Sequence, residues 1–155
     1  MSRCSIENLL TDSPARKQMT LPTTLLADLI RRKHGLLVQL RDIGQRQKEV
    51  VDRGETATLL QLLATKQNMI TLLQQVECEL APFHGEDPDE RRWPAADARA
   101  RCAQQAAECN RLLEEIVGLE RQSADRMTAR RNDVAAQLKQ VYAAGQARDA
   151  YKAQR

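Results

Sequence analysis

The sequence predicts an all-α protein, an elongated antiparallel bundle or coiled coil of about three long helices, with room for a short N-terminal helix. Three observations predict it. Ala, Leu, Arg and Gln together supply 74 of the 155 residues, and all four favour helix. Val and Ile number only 12, with one Trp, one Phe and two Tyr, which is poor material for a sheet. Apolar residues also recur at three- and four-residue spacing over long runs that Pro rarely interrupts. The same composition weighs against an enzyme. Two His and so few aromatics leave little with which to line a catalytic pocket.

Residues 1–20 are mixed in character, carry Ser13-Pro14, and read as a frayed or short-helical leader. The first long helix is expected over about 22–53. Thr20 can cap it, and Pro22 suits a first turn, where its missing N–H has no helical partner. Its stripe runs Leu26, Leu29/Ile30, Leu36/Leu37, Leu40, Ile43 and Val50. Asp28–Arg32, Asp42–Arg46 and Glu49–Arg53 place an acid four residues before a base on the outer face. Gly35 and Gly44 weaken the helix by about 1 kcal/mol each and offer close approach to a partner helix. Gly54 is the expected left-handed cap.

The second helix is expected over about 56–81. Its stripe is Leu59, Leu62/Leu63, Met69/Ile70, Leu73, Val76 and Leu80. Leu60 and Leu72 widen that face, which suggests contact with two neighbours. The short turn at Gly54 makes the first two helices antiparallel. Residues 82–94, PFHGEDPDERRWP, form the one substantial linker, and its Phe83 and Trp93 are suited to plugging the end of a bundle.

The third helix is expected over about 95–142, within a bundle spanning 21–142. Its stripe begins Ala98, Cys102, Ala106, Cys109, Leu112/Leu113, Ile116 and Leu119. It then thins to Glu120, Ser123, Met127, Arg130, Val134, Leu138 and Val141. A helix with so sparse an apolar face is marginal unless something covers it. Residues 143–155 read as a flexible tail.

Charge is nearly balanced, 24 basic against 21 acidic residues, and does not by itself imply a nucleic-acid partner. The basic excess gathers after Leu119. A basic amphipathic helix suits an acidic protein groove, a nucleic acid or a membrane surface. Arg126, Arg130 and Arg131 cluster there, without helix-turn-helix geometry or an aromatic stacking platform to suggest nucleic-acid reading. Cys4, Cys78, Cys102 and Cys109 form no CxxC, and neither His34 nor His84 is spaced to share a metal with them. Cys102 and Cys109 lie about 10 Å apart along one helix, too far for a disulfide. Unpaired thiols fit a reducing compartment. There is no secretory signal pattern, no apolar run of membrane-spanning length, and no P-loop, GxGxxG, HExxH or GxSxG motif. The expectation is a cytoplasmic protein without cofactor, metal, catalytic residues, nucleic-acid partner or membrane insertion.

The order of features resembles one family. A long helix ends in Arg53-Gly54-Glu55, and the Leu-rich segment TLLQLLATKQNMITLLQQVE with its internal Lys follows. An acidic linker with Trp93, the segment CNRLLEEIVGLE and the tail LKQVYAAGQ complete the order. Over roughly residues 20–148 this is similar to the FlgN-like flagellar type III export chaperones. The resemblance implies a cytosolic helical chaperone that binds an amphipathic C-terminal segment of hook-associated junction proteins. It would keep these clients secretion-competent and deliver them to the export gate. It further implies that Val134, Leu138 and Val141 contact the client and that Tyr142 docks to the gate component, with Tyr151 as a rival; Met127, on the same stripe, is expected to join the client-binding residues. Self-association along the same stripe, as a structural coiled-coil protein, is the alternative.

Overall fold

A computed structural model describes residues 21–154. Three long helices carry the described chain: α1 Thr23–Arg53, α2 Thr56–Leu80 and α3 Ala96–Ala153. The fold is all-α, and the helices pack in an up-down-up order. α1 runs beside α3 in the same direction. Leu26 shares a cluster with Cys102, Leu37 and Leu40 share one with Cys109 and Leu112, and Asp52 pairs with Arg126. α2 runs back antiparallel, with Val76 and Leu80 beside Leu26 and Leu29.

α1 is the helix on which both others pack. Its stripe buries Leu26, Leu29, Leu37, Leu40, Val50 and Val51. Full burial of such a side chain stabilises by about 1.5–3 kcal/mol, and this one helix supplies half of the buried apolar side chains among the described residues. Gly44 serves the close approach expected of it. Leu119 Cδ1 sits 3.2 Å from where a Cβ on Gly44 would stand. Gly35 does not, because nothing lies within 4 Å of the corresponding position. Gly54 has φ +70° and forms a double cap. Its N–H donates to Val51 O, and the Glu55 N–H donates to Val50 O. That pairing turns the chain sharply into α2.

α2 is shallower than its stripe suggests. Val76 and Leu80 are buried, Leu59, Leu62, Leu63, Met69, Ile70 and Leu73 are half-buried, and Leu60 and Leu72 are exposed. α2 does meet two neighbours, α1 and α3, but Leu60 and Leu72 do not make the second contact, which runs through Lys66 and Glu120. α2 packs chiefly on α1, with Met69, Ile70 and Leu73 also against the cluster that holds Cys109 and Leu112 of α3, and the far side of its apolar face is left in solvent.

The linker is ordered by polar ties. Short 3₁₀ turns cover Ala81–Gly85 and Pro88–Glu90. The Leu21 N–H donates to Glu86 Oε1 at 2.7 Å, and Thr23 Oγ1 donates to Arg92 O at 2.7 Å. Arg91 Nη2 donates to Phe83 O at 2.8 Å. Phe83 is buried and Trp93 half-buried against the Leu26–Leu29 cluster, closing that end of the bundle as expected.

Further differences concern ends and pairs. Pro22 occupies the cap position of α1 without a side-chain cap bond, while Thr20 and the expected leader lie outside the described residues. Asp28 pairs with Arg32 at 3.1 Å, but Asp42 is bonded by its neighbour Arg41. α3 does not stop near residue 142. It continues to Ala153, because Ala-rich sequence without Pro extends a helix already nucleated. The expected flexible tail is thus helical through residue 153. Cys102 and Cys109 are free and buried, and burial pushes both thiols up from their ordinary value. Cys78 is disulfide-bonded, which corrects the expectation of unpaired thiols throughout. Spacing along one helix excludes a bond within it, but not a bond closed by tertiary folding. The argument from free thiols to a reducing compartment loses that support.

Candidate binding surface at the end of the helical hairpin

The register of α1 against α3 decides where the bundle ends. Pairing proceeds from Leu26 beside Cys102 through Gly44 beside Leu119 to Asp52 beside Arg126. The chain then turns at Gly54, and Arg130 lies directly over that glycine. Beyond Arg130 the stripe of α3 has no helix opposite it among the described residues. Residues 131–153 therefore project by about 35 Å at 1.5 Å per residue.

Exposure along the stripe follows from this geometry. It rises from 42% at Met127 and 48% at Val134 to 64% at Leu138 and 70% at Val141. Met127 and Val134 meet Val50, Val51 and Leu59 around an open, mainly apolar cleft of about 340 Å³. Gly54, Glu55, Arg130 and Arg131 also border the cleft. Leu138 and Val141 lie farther out on the projecting arm. Tyr142 is exposed and its hydroxyl accepts a bond from Gln146 Nε2 at 2.9 Å. The structure thus brings two of the four expected client-contacting residues together with the hairpin end. It leaves the other two, and Tyr142, on the bare arm.

Nothing in the sequence marks Val50, Val51 and Leu59 as binding residues. Val50 and Leu59 belong to core stripes, and only the turn at Gly54 brings them to the mouth of a cleft. The arginine cluster also separates into roles. Arg126 pairs with Asp52. Arg130 Nη1 donates to Val51 O at 3.3 Å and to Asp52 O at 3.2 Å, serving the open carbonyls at the end of α1. Arg131 remains at the cleft with no ion pair or hydrogen bond among the described residues.

A polar layer separates this end from the leucine core. Lys66 Nζ of α2 donates to Gln47 Oε1 of α1 at 3.3 Å and pairs with Glu120 of α3. Gln47 and Ser123 are buried beside that layer on the packed faces of α1 and α3. Burial holds the Lys66 ammonium below its ordinary value of 10.5. The half-exposed Glu120 carboxylate, screened by water, does not outweigh that desolvation.

Among the described residues no group of three or more His, Cys, Asp or Glu is placed to hold a metal ion. No helix among them is long and apolar enough to cross a membrane. The surface offers apolar contact, flanking cations and exposed helix, which suit recognition of another helix. Comparison with protein-family models, curated proteins and solved structures finds no match.

Proposed function

We propose that the protein is a FlgN-like export chaperone. In this reading it covers an amphipathic C-terminal segment of hook-associated junction proteins and brings them to the type III export gate in the cytoplasm. One observation carries the reading: the apolar stripe of α3 outlasts the hairpin that covers it, so Met127, Val134, Leu138 and Val141 form an unpartnered helical face. Anchors at three-, four- and seven-residue spacing are what an amphipathic partner helix engages. The cover is non-covalent and calls for no cofactor. Tyr142, exposed near the strip, is the proposed contact for the export gate.

The test is binding of a hook-associated protein tail to the full chain by calorimetry. Leu138→Asp with Val141→Asp should abolish the complex while leaving the melting temperature unchanged, because both side chains lie clear of the core. Normal binding by the double variant would overturn the site.

A second reading, a self-associating structural coiled coil, draws on the continuity of the exposed strip with the buried seam of α3. Light scattering separates the two. A stable assembly that excludes the client tail would favour the structural protein.

A further inference from the structure

The chemistry of the strip's borders selects among helical partners. At about 100° per residue, Met127, Val134, Leu138, Val141 and Gly145 fall on one line along α3. Arg130, Arg131 and Arg148 lie within about 60° of that line, and Lys152 continues it toward the end. Of the acids on the arm, Asp149 lies on one border and Asp133 faces away. From residue 131 to 154 there are four basic residues (Arg131, Lys139, Arg148, Lys152) and two acidic ones, a net +2. Arg130 is spent on the carbonyls of α1. Arg131, Arg148 and Lys152 have no side-chain partner among the described residues. An apolar strip thus runs about 21 Å, from the hairpin cleft at Met127 to Val141, and cations without an ion pair among the described residues border it as far as Arg148, about 32 Å from Met127.

We infer that this surface takes an acidic amphipathic helix. Its apolar face would cover Met127, Val134, Leu138 and Val141, and its end would seat an apolar side chain in the cleft of Val50, Val51 and Leu59. Its flanking carboxylates would meet Arg131 and Arg148. The inference rests on the strip being a binding face and adds the charge of the partner. A second copy of this chain is disfavoured, because each arm carries a net +2. An anionic membrane fits less well. The strip carries no Trp or Phe, and the cleft at its base is shaped by three apolar side chains from the hairpin.

Two synthetic helical peptides provide the test. Both carry Leu and Ile on one stripe and span about 32 Å; one is flanked by Glu and the other by Lys. The full chain should bind the Glu-flanked peptide at least about tenfold more tightly, the effect of two to three exposed charge pairs, with affinity falling as salt rises. Arg131→Glu with Arg148→Glu should reverse the preference, while circular dichroism shows the fold retained.

Equal affinity for the two peptides overturns the inference. So does binding that survives Leu138→Asp with Val141→Asp, or a dimer of the full chain that occupies the strip and excludes the peptide. So does strip-dependent binding to phosphatidylserine vesicles without binding to either peptide. The two proposals fail separately. A hook-associated tail that binds without charge selectivity leaves the chaperone reading standing and sinks this one. Selective binding of the Glu-flanked peptide without binding of such a tail does the reverse.

Discussion

Gly54 and Arg130 show at the scale of single residues how one position serves two ends. Gly54 adopts φ +70°, and an added Cβ would collide with the Arg130 guanidinium. Gly54→Ala should therefore lower unfolding free energy by more than about 1 kcal/mol, the backbone cost alone. Arg130→Ala should cost about 1 kcal/mol or less through loss of its bonds to the carbonyls of α1. Urea denaturation of the two variants and their double should show coupling. The double loses less than the sum, since removing Arg130 removes the collision; strict additivity would show that the two do not meet. Lys66 makes a different prediction. Its folded value lies below 10.5, so the unfolded chain binds more protons in the interval between them. Stability should rise with pH across that interval and level off near 10.5. Denaturation midpoints of the parent and Lys66→Met from neutral to alkaline pH would show it, since the variant lacks that rise. The cap at Gly54 was legible as Arg-Gly-Glu after a helical stripe. The bonds of Arg130 were not, because its acceptor on Val51 is 79 residues away in sequence.

Each helix, taken as an element, repeats a contrast between periodicity and cover. The stripe of α1 predicts its burial well, because α1 has a neighbour on two sides. The stripe of α2 overstates its burial, since periodicity shows which residues share a face but not whether anything opposes it. Leu60 and Leu72 are the cost of that ambiguity. α3 is the sharpest case, for its length is set by local propensity while its cover ends with α1. An uncovered helix is held only by its own backbone bonds and frays readily. Amide hydrogen exchange should therefore be slow over residues 102–119 and fast over 131–153. The fast segment should slow when a partner helix is added. Protection of 131–153 in the isolated, diluted chain would show that the arm is already covered.

For the whole molecule, the division follows from the range of the forces. The sequence by itself determined that the protein is helical, that the described residues form three long helices, and that the first two make a hairpin about Gly54. Propensity, stripe spacing and turn chemistry act within a few residues and can be read in order along the chain. It also located the thinning of the stripe after Leu119, which is a count of residue types. Only the tertiary structure decided that α1 is the shared core helix, that Lys66, Gln47 and Glu120 meet in one layer, and that Cys78 is bonded while Cys102 and Cys109 are free. Each depends on groups brought together from distant parts of the chain. The same holds for the candidate surface. The sequence supplied Met127, Val134, Leu138 and Val141. The hairpin's length against α3 decided where their cover stops, and added Val50, Val51 and Leu59 beneath them.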